Sequence, residues 1–283
     1  MIDLHTHTTA SDGILKPADL VQYAFSKGVT TLAITDHDTT EGIEEGAKEA
    51  EKLGMGFIPG IEINVNWPTG EFHLLGYGLY KISTQMTDLV SFRREQRKER
   101  NLKIVGKMQA DGFKVEYDDI LEGVEAKGIG RPHFASYMVQ KGIAKNRQVA
   151  FDKYLAKGRP WYVPQTSVDL EVALEAIKSC GGVPVIAHPL SLYVSWGKIT
   201  PVIENLYERG VEGLEAWHPG VRAVEAKRLE DLAREVGMFV TAGSDFHGKL
   251  VRPDREIGHT TSSQLPIEDR FWTDELSVRL KKS

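Results

Sequence analysis

The sequence predicts an α/β protein, a distorted (β/α)7 barrel that carries a helical insertion. Short apolar segments alternate with longer amphipathic segments, which is typical of β/α units around a parallel sheet. Between residues 81 and 165 the pattern is instead helical, without clear strands. With 283 residues, 41% of them hydrophobic, the chain is long enough to bury one large core, or one core and a small appendage.

Seven short apolar segments are strand candidates. They span residues 2–5, 30–34, 56–63, 72–79, 182–188, 213–217 and 239–243. Five amphipathic segments between them are predicted helices, and each ends at a glycine. They span residues 17–28, 41–54, 169–182, 199–210 and 222–237. Pro17 begins the first helix, where proline is well tolerated.

The helical region divides the chain into two predicted parts. Residues 1–80 and 166–283 would form the barrel domain, and residues 81–165 the insertion. The insertion contains DLVSFRREQRKERNLKIVGKMQADG at 88–112 and NRQVAFDKYLAKG at 146–158. We expect it to cover the active-site rim, because an element added between rim strands has little else nearby to cover.

Charge and cysteine content exclude several classes of protein. The formal net charge of −5 gives no overall basic surface, so stable binding to duplex DNA is not expected. The single cysteine, Cys180, excludes an internal disulfide and a thiolate metal cluster and suits a reducing cytosol. The first residues do not resemble a signal peptide, and no apolar run approaches the roughly 20 residues of a membrane span. We therefore expect a cytoplasmic protein that does not bind membranes.

The stretch DLHTHTTASDG near the start of the chain suggests a metal site. In an extended strand residues i and i+2 face the same side, so His5 and His7 present two nitrogens to one point. If the pair stood alone, two hydrogen-bonded polar residues at a strand end would be the better explanation.

Similar residues recur where other predicted strands finish. Because the C-terminal strand ends of an α/β barrel form one rim, these side chains are expected to converge there. The convergent set is His5, His7, Asp12, His37, Glu62, His73, His188, Asp245 and His247. Such a set is too large for one ion, since a catalytic zinc commonly uses three protein ligands, but it suffices for two or three ions. Nitrogen and oxygen donors without sulfur suit Mn²⁺, Zn²⁺ or Fe²⁺ better than Ca²⁺ or Cu⁺, and all three metals remain open.

Four motifs in order, DLHTHTTASDG, ITDHD, AHP and SDFH, resemble those of the PHP (polymerase and histidinol phosphatase) family of metal-dependent phosphoesterases. The resemblance runs along the whole chain and implies a distorted seven-stranded barrel with a trinuclear site on its rim. It implies that His5, His7, Glu62 and Asp245 hold the first ion and form the catalytic group. Glu62 would bridge to a second ion held with His73 and His188. Asp12, His37 and His247 would hold the third, with Asp12 where other branches of the family carry histidine.

Within the family the chain is most similar to stand-alone 3′,5′-nucleotide bisphosphate phosphatases and 5′-to-3′ exoribonucleases. The expected activity is hydrolysis of phosphate monoesters or terminal phosphodiesters of nucleotides or short oligonucleotides. Divalent ions can lower the pKa of bound water to about 7, which would supply a metal-activated hydroxide as nucleophile. Two alternatives remain open, a phosphatase of small molecules such as histidinol phosphate and a non-catalytic regulatory module that binds metal.

Several residues outside the metal set are candidates for binding substrate. Arg131 could grip phosphate through two hydrogen bonds, and a cationic and aromatic segment, AKGRPWYVP, suits a nucleotide's phosphate and base. The candidates are Arg131, His133, Lys157, Arg159, Tyr162 and His218.

The remaining polar segments have less specific interpretations. Asp36 and Asp38 are expected either to orient imidazole groups or to cap the following helix. The basic segment from Arg93 to Lys103 is expected to form a solvated helix face. The stretch GSDFHGKL fails as a phosphate-binding loop, because Leu250 occupies the position that needs a hydroxyl. No organic cofactor is therefore expected.

Overall fold

The structure is a computed structural model that describes residues 1–122, 129–164 and 167–280. The chain separates into two compact units, one of Met1–Val90 and Ser167–Ser283 and one of Ser91–Thr166. The second unit starts ten residues later than the predicted insertion, because a long helix, Thr84–Ala110, spans the boundary.

All seven predicted strands are present, and they form one sheet in chain order. They are β1 (Ile2–Asp3), β2 (Thr31–Ile34), β3 (Gly56–Val65), β4 (Phe72–Tyr77), β5 (Val183–Ile186), β6 (Gly213–Trp217) and β7 (Phe239–Ala242). A parallel bridge between Thr6 and Phe246 joins the segments that follow β1 and β7, and the N–H of His7 donates to the carbonyl of Phe246 at 2.9 Å. The sheet is thus a nearly closed, barrel-shaped (β/α)7 arrangement, as predicted.

The expectation of a parallel sheet was wrong at β4. This strand runs antiparallel to both β3 and β5, whereas the other strand pairs of the sheet are parallel. Residues 66–71 alone connect β3 to β4. A connection of this length permits a hairpin, whereas a parallel crossover needs a dozen residues or more.

The five predicted helices of the barrel unit are also confirmed. They are α1 (Pro17–Ser26), α2 (Ile43–Leu53), α7 (Leu170–Ser179), α8 (Ile199–Glu208) and α9 (Ala223–Val236). Gly54 and Gly237 end α2 and α9 in the left-handed region, with φ of 64° and 93°, a conformation that glycine adopts without steric cost. The unit ends with a helical turn, Phe271–Leu276, and α10 (Ser277–Arg279). A separate pair of short strands, β8 (His259–Thr260) and β9 (Leu265–Pro266), precedes them.

The second unit is helical. Its elements are the greater part of α3 (Thr84–Ala110), α4 (Tyr117–Leu121), α5 (Arg131–Gln140), α6 (Arg147–Ala150) and a wider helical turn, Phe151–Leu155. Ile104, Met108, Phe134 and Trp161 belong to its own hydrophobic core, and the Trp161 indole N–H donates to Asp111 at 2.6 Å. The prediction of a solvated basic face was wrong for Arg93 and Arg100, which are buried.

The main core of the barrel unit lies between the sheet and its helices. Leu4, Ile61, Ile186 and Leu214 come from or directly follow strands, and Ile177 of α7 packs in the same cluster. This core fixes the strand ends that carry the polar residues described below. Within residues 1–122, 129–164 and 167–280, none of the helices combines the length and apolar character needed to cross a membrane.

Candidate metal centre

The barrel unit brings together all nine predicted metal ligands. His5, His7 and Asp12 follow β1, and His37 follows β2. Glu62 and His73 lie within β3 and β4, and His188, Asp245 and His247 follow β5 and β7. These side chains therefore meet at one edge of the sheet although they span most of the chain.

His73 reaches this edge in an unexpected way. We predicted that it lies where its strand finishes, but it is the second residue of β4. Because β4 is antiparallel to its neighbours, its beginning lies beside their carboxyl ends. Glu62 likewise is not at a strand end, because β3 continues past it to Val65. A parallel β-bridge between Glu62 and His37 shows that this part of β3 lies beside the residues that follow β2.

The first group of ligand atoms surrounds His5 and His7. Their Nε2 atoms are 3.1 Å apart, and one oxygen of Asp245 lies 3.6 Å and 3.2 Å from them. The Oε2 atom of Glu62 lies 3.3 Å from both imidazoles. Ligands at about 2.0–2.1 Å from a tetrahedral ion stand about 3.3 Å apart, so these separations suit a shared cation.

A second group surrounds Asp12. One of its carboxylate oxygens lies 3.3 Å from His247 Nε2, 3.9 Å from His37 Nε2 and 4.0 Å from His7 Nδ1. These four residues each offer a ligand atom within 4.8 Å of the others. Asp12 therefore stands among three imidazoles.

A third group surrounds the other oxygen of Glu62. This Oε1 atom lies 2.9 Å from His73 Nδ1 and 3.0 Å from His188 Nε2. The Nδ1 atom of His37 is 2.9 Å from Oε2 of the same carboxylate. Glu62 thus contacts the groups on both sides of it, which is the position required of a bridging ligand.

Sequence analysis did not identify Glu215, which holds two of these histidines. The residue is fully buried in β6, and its carboxylate accepts from His5 Nδ1 at 2.9 Å and from the His188 N–H at 2.8 Å. With its proton on Nδ1, His5 directs the lone pair of Nε2 toward the first group. A glutamate in the middle of the apolar stretch GLEAW was the signal for it, because a buried charge in a strand needs a partner.

Asp245 is held by a residue that the sequence analysis also missed. Nη1 of Arg255 forms an ion pair with the second carboxylate oxygen of Asp245 and donates to its backbone carbonyl at 3.1 Å. Asp245 has a φ of 47°, which is strained for a residue other than glycine. Arg255 therefore fixes both the backbone and the side chain of a strained residue.

Neither predicted role of Asp36 was correct. Its carboxylate accepts from the Thr8 N–H at 2.7 Å, the Thr8 hydroxyl at 2.7 Å and the Ser11 hydroxyl at 2.5 Å. These bonds fix the loop that carries Asp12. Asp38 accepts from the Asn64 N–H at 3.3 Å and so ties the segment after β2 to β3.

The electrostatics of the groups favour ionised carboxylates. Burial alone would raise the pKa of Glu62, but His37, His5 and His73 hold this pKa well below its usual range. Burial opposes the charged form of His37, yet Glu62 and Asp12 outweigh it and raise its pKa to about 10. Ionised carboxylates suit a divalent ion, and binding such an ion requires the imidazole ligands to be deprotonated.

The residues present fit divalent metal ions. Among the described residues, Glu62 Oε2 and His7 Nδ1 are buried and lack a well-aligned hydrogen bond, although His37 Nδ1 lies 2.9 Å from Oε2. A buried polar atom without such a bond is costly unless another group binds it. Both atoms face the groups described above. Imidazole and carboxylate donors are the usual ligands of Zn²⁺, Mn²⁺ and Fe²⁺.

The predicted substrate contacts fall into both units. His218 follows β6 in the barrel unit, where its ring centre lies 6.1 Å from that of His188. Burial lowers the pKa of His218 to about 3. Its Nδ1 accepts from the Gly220 N–H at 3.2 Å, so the proton of the neutral ring is on Nε2.

The other five candidates lie in the second unit. Arg131 begins α5, and its guanidinium carbon lies 5.6 Å from the ring centre of Tyr162. His133 accepts from the Gly130 N–H at 3.0 Å through Nδ1. Lys157 and Arg159 are exposed. Their contact with substrate stays a prediction.

Comparison with known proteins agrees with this architecture. Residues 3–140 match the PHP domain. The chain is 35% identical over 248 residues to a 5′-3′ exoribonuclease of Haemophilus influenzae, covering 87% of this chain and 89% of the relative. It is 31% identical over 280 residues to a 3′,5′-nucleoside bisphosphate phosphatase of Chromobacterium violaceum, covering 99% and 97%. A solved structure of a C. violaceum amidohydrolase with bound sulfate and no metal superposes with a TM-score of 0.84 at 31% identity, covering 98% of this chain and 96% of that one.

A barrel whose rim gathers imidazoles and carboxylates in this way is the architecture of a metal-dependent hydrolase. The matched domain and the full-length relatives then specify which one. The chain belongs to the PHP domain family of metal-dependent phosphoesterases.

Proposed function

We propose that this phosphoesterase acts on nucleotides or short oligonucleotides, removing a phosphate from a monoester or a terminal nucleotide from a diester. The observation that carries the proposal is the position of Glu62, buried between imidazoles on both of its oxygens. Such a bridging carboxylate serves a site with more than one metal ion. Paired ions are suited to phosphoryl transfer, where charge develops on both the attacking and the leaving oxygen.

The proposed ligand sets follow the three groups of atoms. His5, His7, Glu62 and Asp245 would hold one ion. Glu62, His73 and His188 would hold a second. Asp12, His37 and His247 would hold a third. We propose two or three ions in total, chosen from Mn²⁺, Zn²⁺ and Fe²⁺, and no organic cofactor.

The protein residues have separate tasks in this proposal. Divalent ions, when bound, lower the pKa of water and neutralise phosphoryl charge. Glu215 keeps the proton of His5 on Nδ1, so that Nε2 stays available as a ligand. Arg255 turns one oxygen of Asp245 toward His7. His218 offers an N–H donor to an oxygen of the substrate, and Arg131, His133, Lys157, Arg159 and Tyr162 are proposed as further substrate contacts.

The named relatives support two substrates, a nucleoside bisphosphate and the 5′ end of a short RNA. The experiment measures metal content and then compares hydrolysis of adenosine 3′,5′-bisphosphate, a short RNA and histidinol phosphate with each candidate metal. We expect turnover of at least one of the first two. Hydrolysis of histidinol phosphate alone would favour the small-molecule phosphatase.

Two variants test whether the metal groups carry the activity. His7→Ala and Asp245→Ala should each lose turnover and bound metal while the fold is retained by circular dichroism. His259→Ala is a matched control, because His259 lies in β8 and its Nδ1 bonds the Ile257 carbonyl. A wild-type protein that binds metal yet hydrolyses none of the esters would instead be the regulatory module.

A further inference from the structure

The loop that follows His188 ends at an aromatic residue that packing does not explain. Residues Pro189–Leu192 form a 3₁₀ turn, and Tyr193 comes directly after it. Tyr193 is 78% exposed, more than any other aromatic residue in the described part of the chain. The hydrophobic effect favours burial of such a ring, so its exposure calls for another reason.

The backbone of Tyr193 is strained as well. Its φ of 51° and ψ of 39° lie in the left-handed region, which is unfavourable for a residue with a side chain. Three of the other described non-glycine residues with positive φ are Asp38, His188 and Asp245, which belong to the metal centre or adjoin it. Strain of this kind persists where the surrounding structure enforces it, and it is concentrated at functional sites.

Hydrogen bonds to the β3–β4 hairpin enforce the conformation of this loop. The backbones of Glu71 and Ser191 are joined by a 2.8 Å bond, and the Ser191 hydroxyl donates to the Glu71 carbonyl at 2.9 Å. The Leu192 carbonyl accepts from Trp67 Nε1 at 3.0 Å and from the Thr69 hydroxyl at 2.8 Å. The segment before Tyr193 is therefore fixed.

The hairpin also supports the tyrosine ring itself. Gly70 lies so close to the loop that a Cβ atom there would collide with the Ser191 carbonyl and with the ring of Tyr193. One edge of the ring thus rests on the backbone of Gly70, while most of its surface stays open to solvent. A ring held in this way loses little conformational freedom when a flat ligand stacks on it.

We propose that Tyr193 is the platform on which the base of a nucleotide substrate stacks while the phosphate lies at the metal centre. This inference rests on the proposed function and adds a base-binding subsite to it. A 3₁₀ helix rises about 2 Å per residue, so Pro189–Leu192 advance the chain by about 8 Å from His188. A nucleotide bridges this distance between its phosphate and its base. Stacking on an aromatic side chain tolerates any base.

The test compares two ligands that share a ribose 5-phosphate group, of which one carries a base at C1′ and the other a hydroxyl. Binding of adenosine 5′-monophosphate and of ribose 5-phosphate to the metal-loaded protein is measured by calorimetry for wild type, Tyr193→Ala and Tyr193→Trp. Tyr193→Ala should weaken binding of the nucleotide by about 5- to 150-fold and leave binding of the sugar phosphate unchanged. Tyr193→Trp should restore nucleotide binding. Tyr80→Ala is the matched control, because Tyr80 is also exposed, at 55%, but follows β4 at its far end from His73.

Other outcomes would overturn the proposal. Equal losses for both ligands would show that Tyr193 only maintains the loop, and unchanged nucleotide binding would show that the ring does not contact the base. Equal affinity of the wild type for both ligands would exclude a base subsite altogether. Because these are binding measurements, they remain decisive even if the protein fails to hydrolyse nucleotides, a result that would count against the proposed function alone.

Discussion

Replacing Glu215 with glutamine should weaken metal binding without changing the fold. The carboxylate accepts two hydrogen bonds, from the ring of His5 and from the backbone of His188. A glutamine side chain offers one acceptor oxygen, so one of the two N–H groups would face its NH2 group. Loss of such a bond behind a ligand typically costs 10- to 100-fold in metal affinity, which corresponds to about 1.4–2.8 kcal/mol. We expect Glu215→Gln to fall in this range.

The assay for this prediction is competition for Zn²⁺ or Mn²⁺ against a chelating dye, starting from metal-free protein. Glu212→Gln is the matched control, because it makes the same change just before β6 at a partly exposed position. Circular dichroism and the Tm of the metal-free proteins show whether folding is retained. Wild-type affinity and stoichiometry in Glu215→Gln would refute the argument that this carboxylate sets the orientation and tautomer of His5.

Three further predictions concern other parts of the barrel unit. Arg255→Met should lower metal affinity about tenfold, because Asp245 loses the group that fixes its carboxylate, and dye competition that shows no change would contradict this. Removing bound metal with a chelator should lower the Tm, and adding Mn²⁺ or Zn²⁺ back should restore it, since ligands that bind only the folded state stabilise it. A Tm that neither treatment changes would count against a metal centre. Glu230 accepts from Trp217 and Arg270, which outweigh burial and lower its pKa. Its contribution to stability is therefore present above the pKa of an unfolded glutamate and lost as the pH falls through the lower folded value. Glu230→Gln should lower the Tm at pH 7 by about 2–4 °C, as for a loss of about 1 kcal/mol, with a smaller difference in acid; thermal melts showing the same difference at all pH values would contradict the assignment.

Strand positions could be predicted from the sequence because apolar runs, and the glycines that end the helices between them, are local features. Strand direction could not be predicted from hydrophobicity, since a fully buried strand has the same pattern in either direction. The length of the β3–β4 connection was the missed signal, because residues 66–71 leave no room for a crossover helix. That error also placed His73 at the wrong end of its strand.

The convergence of the candidate ligands was predictable for a different reason. Histidines and acids at adjoining strand ends are conspicuous in a sequence, and a nearly closed sheet places such ends together. The residues that hold them are harder to find. Arg255 lies ten residues after Asp245 in an ordinary polar stretch, and nothing local indicates that its guanidinium turns back to that residue.

Backbone strain also could not be predicted from the sequence. It occurs both in the metal centre and at the proposed base subsite. His188 and Tyr193 have φ values of 26° and 51°, and positive φ is uncommon for residues other than glycine. Both are held by bonds from elsewhere in the chain, His188 by Glu215 of β6 and the turn before Tyr193 by the β3–β4 hairpin. The antiparallel course of β4 thus has two consequences. It brings His73 to Glu62, and it places the hairpin where it fixes the loop that presents Tyr193. A change at the hairpin tip, such as Gly70→Ala, should therefore disturb nucleotide binding through Tyr193, because the added Cβ atom would collide with the Ser191 carbonyl and the Tyr193 ring. Wild-type nucleotide affinity in this variant, measured by calorimetry, would contradict the role that we assign to the hairpin.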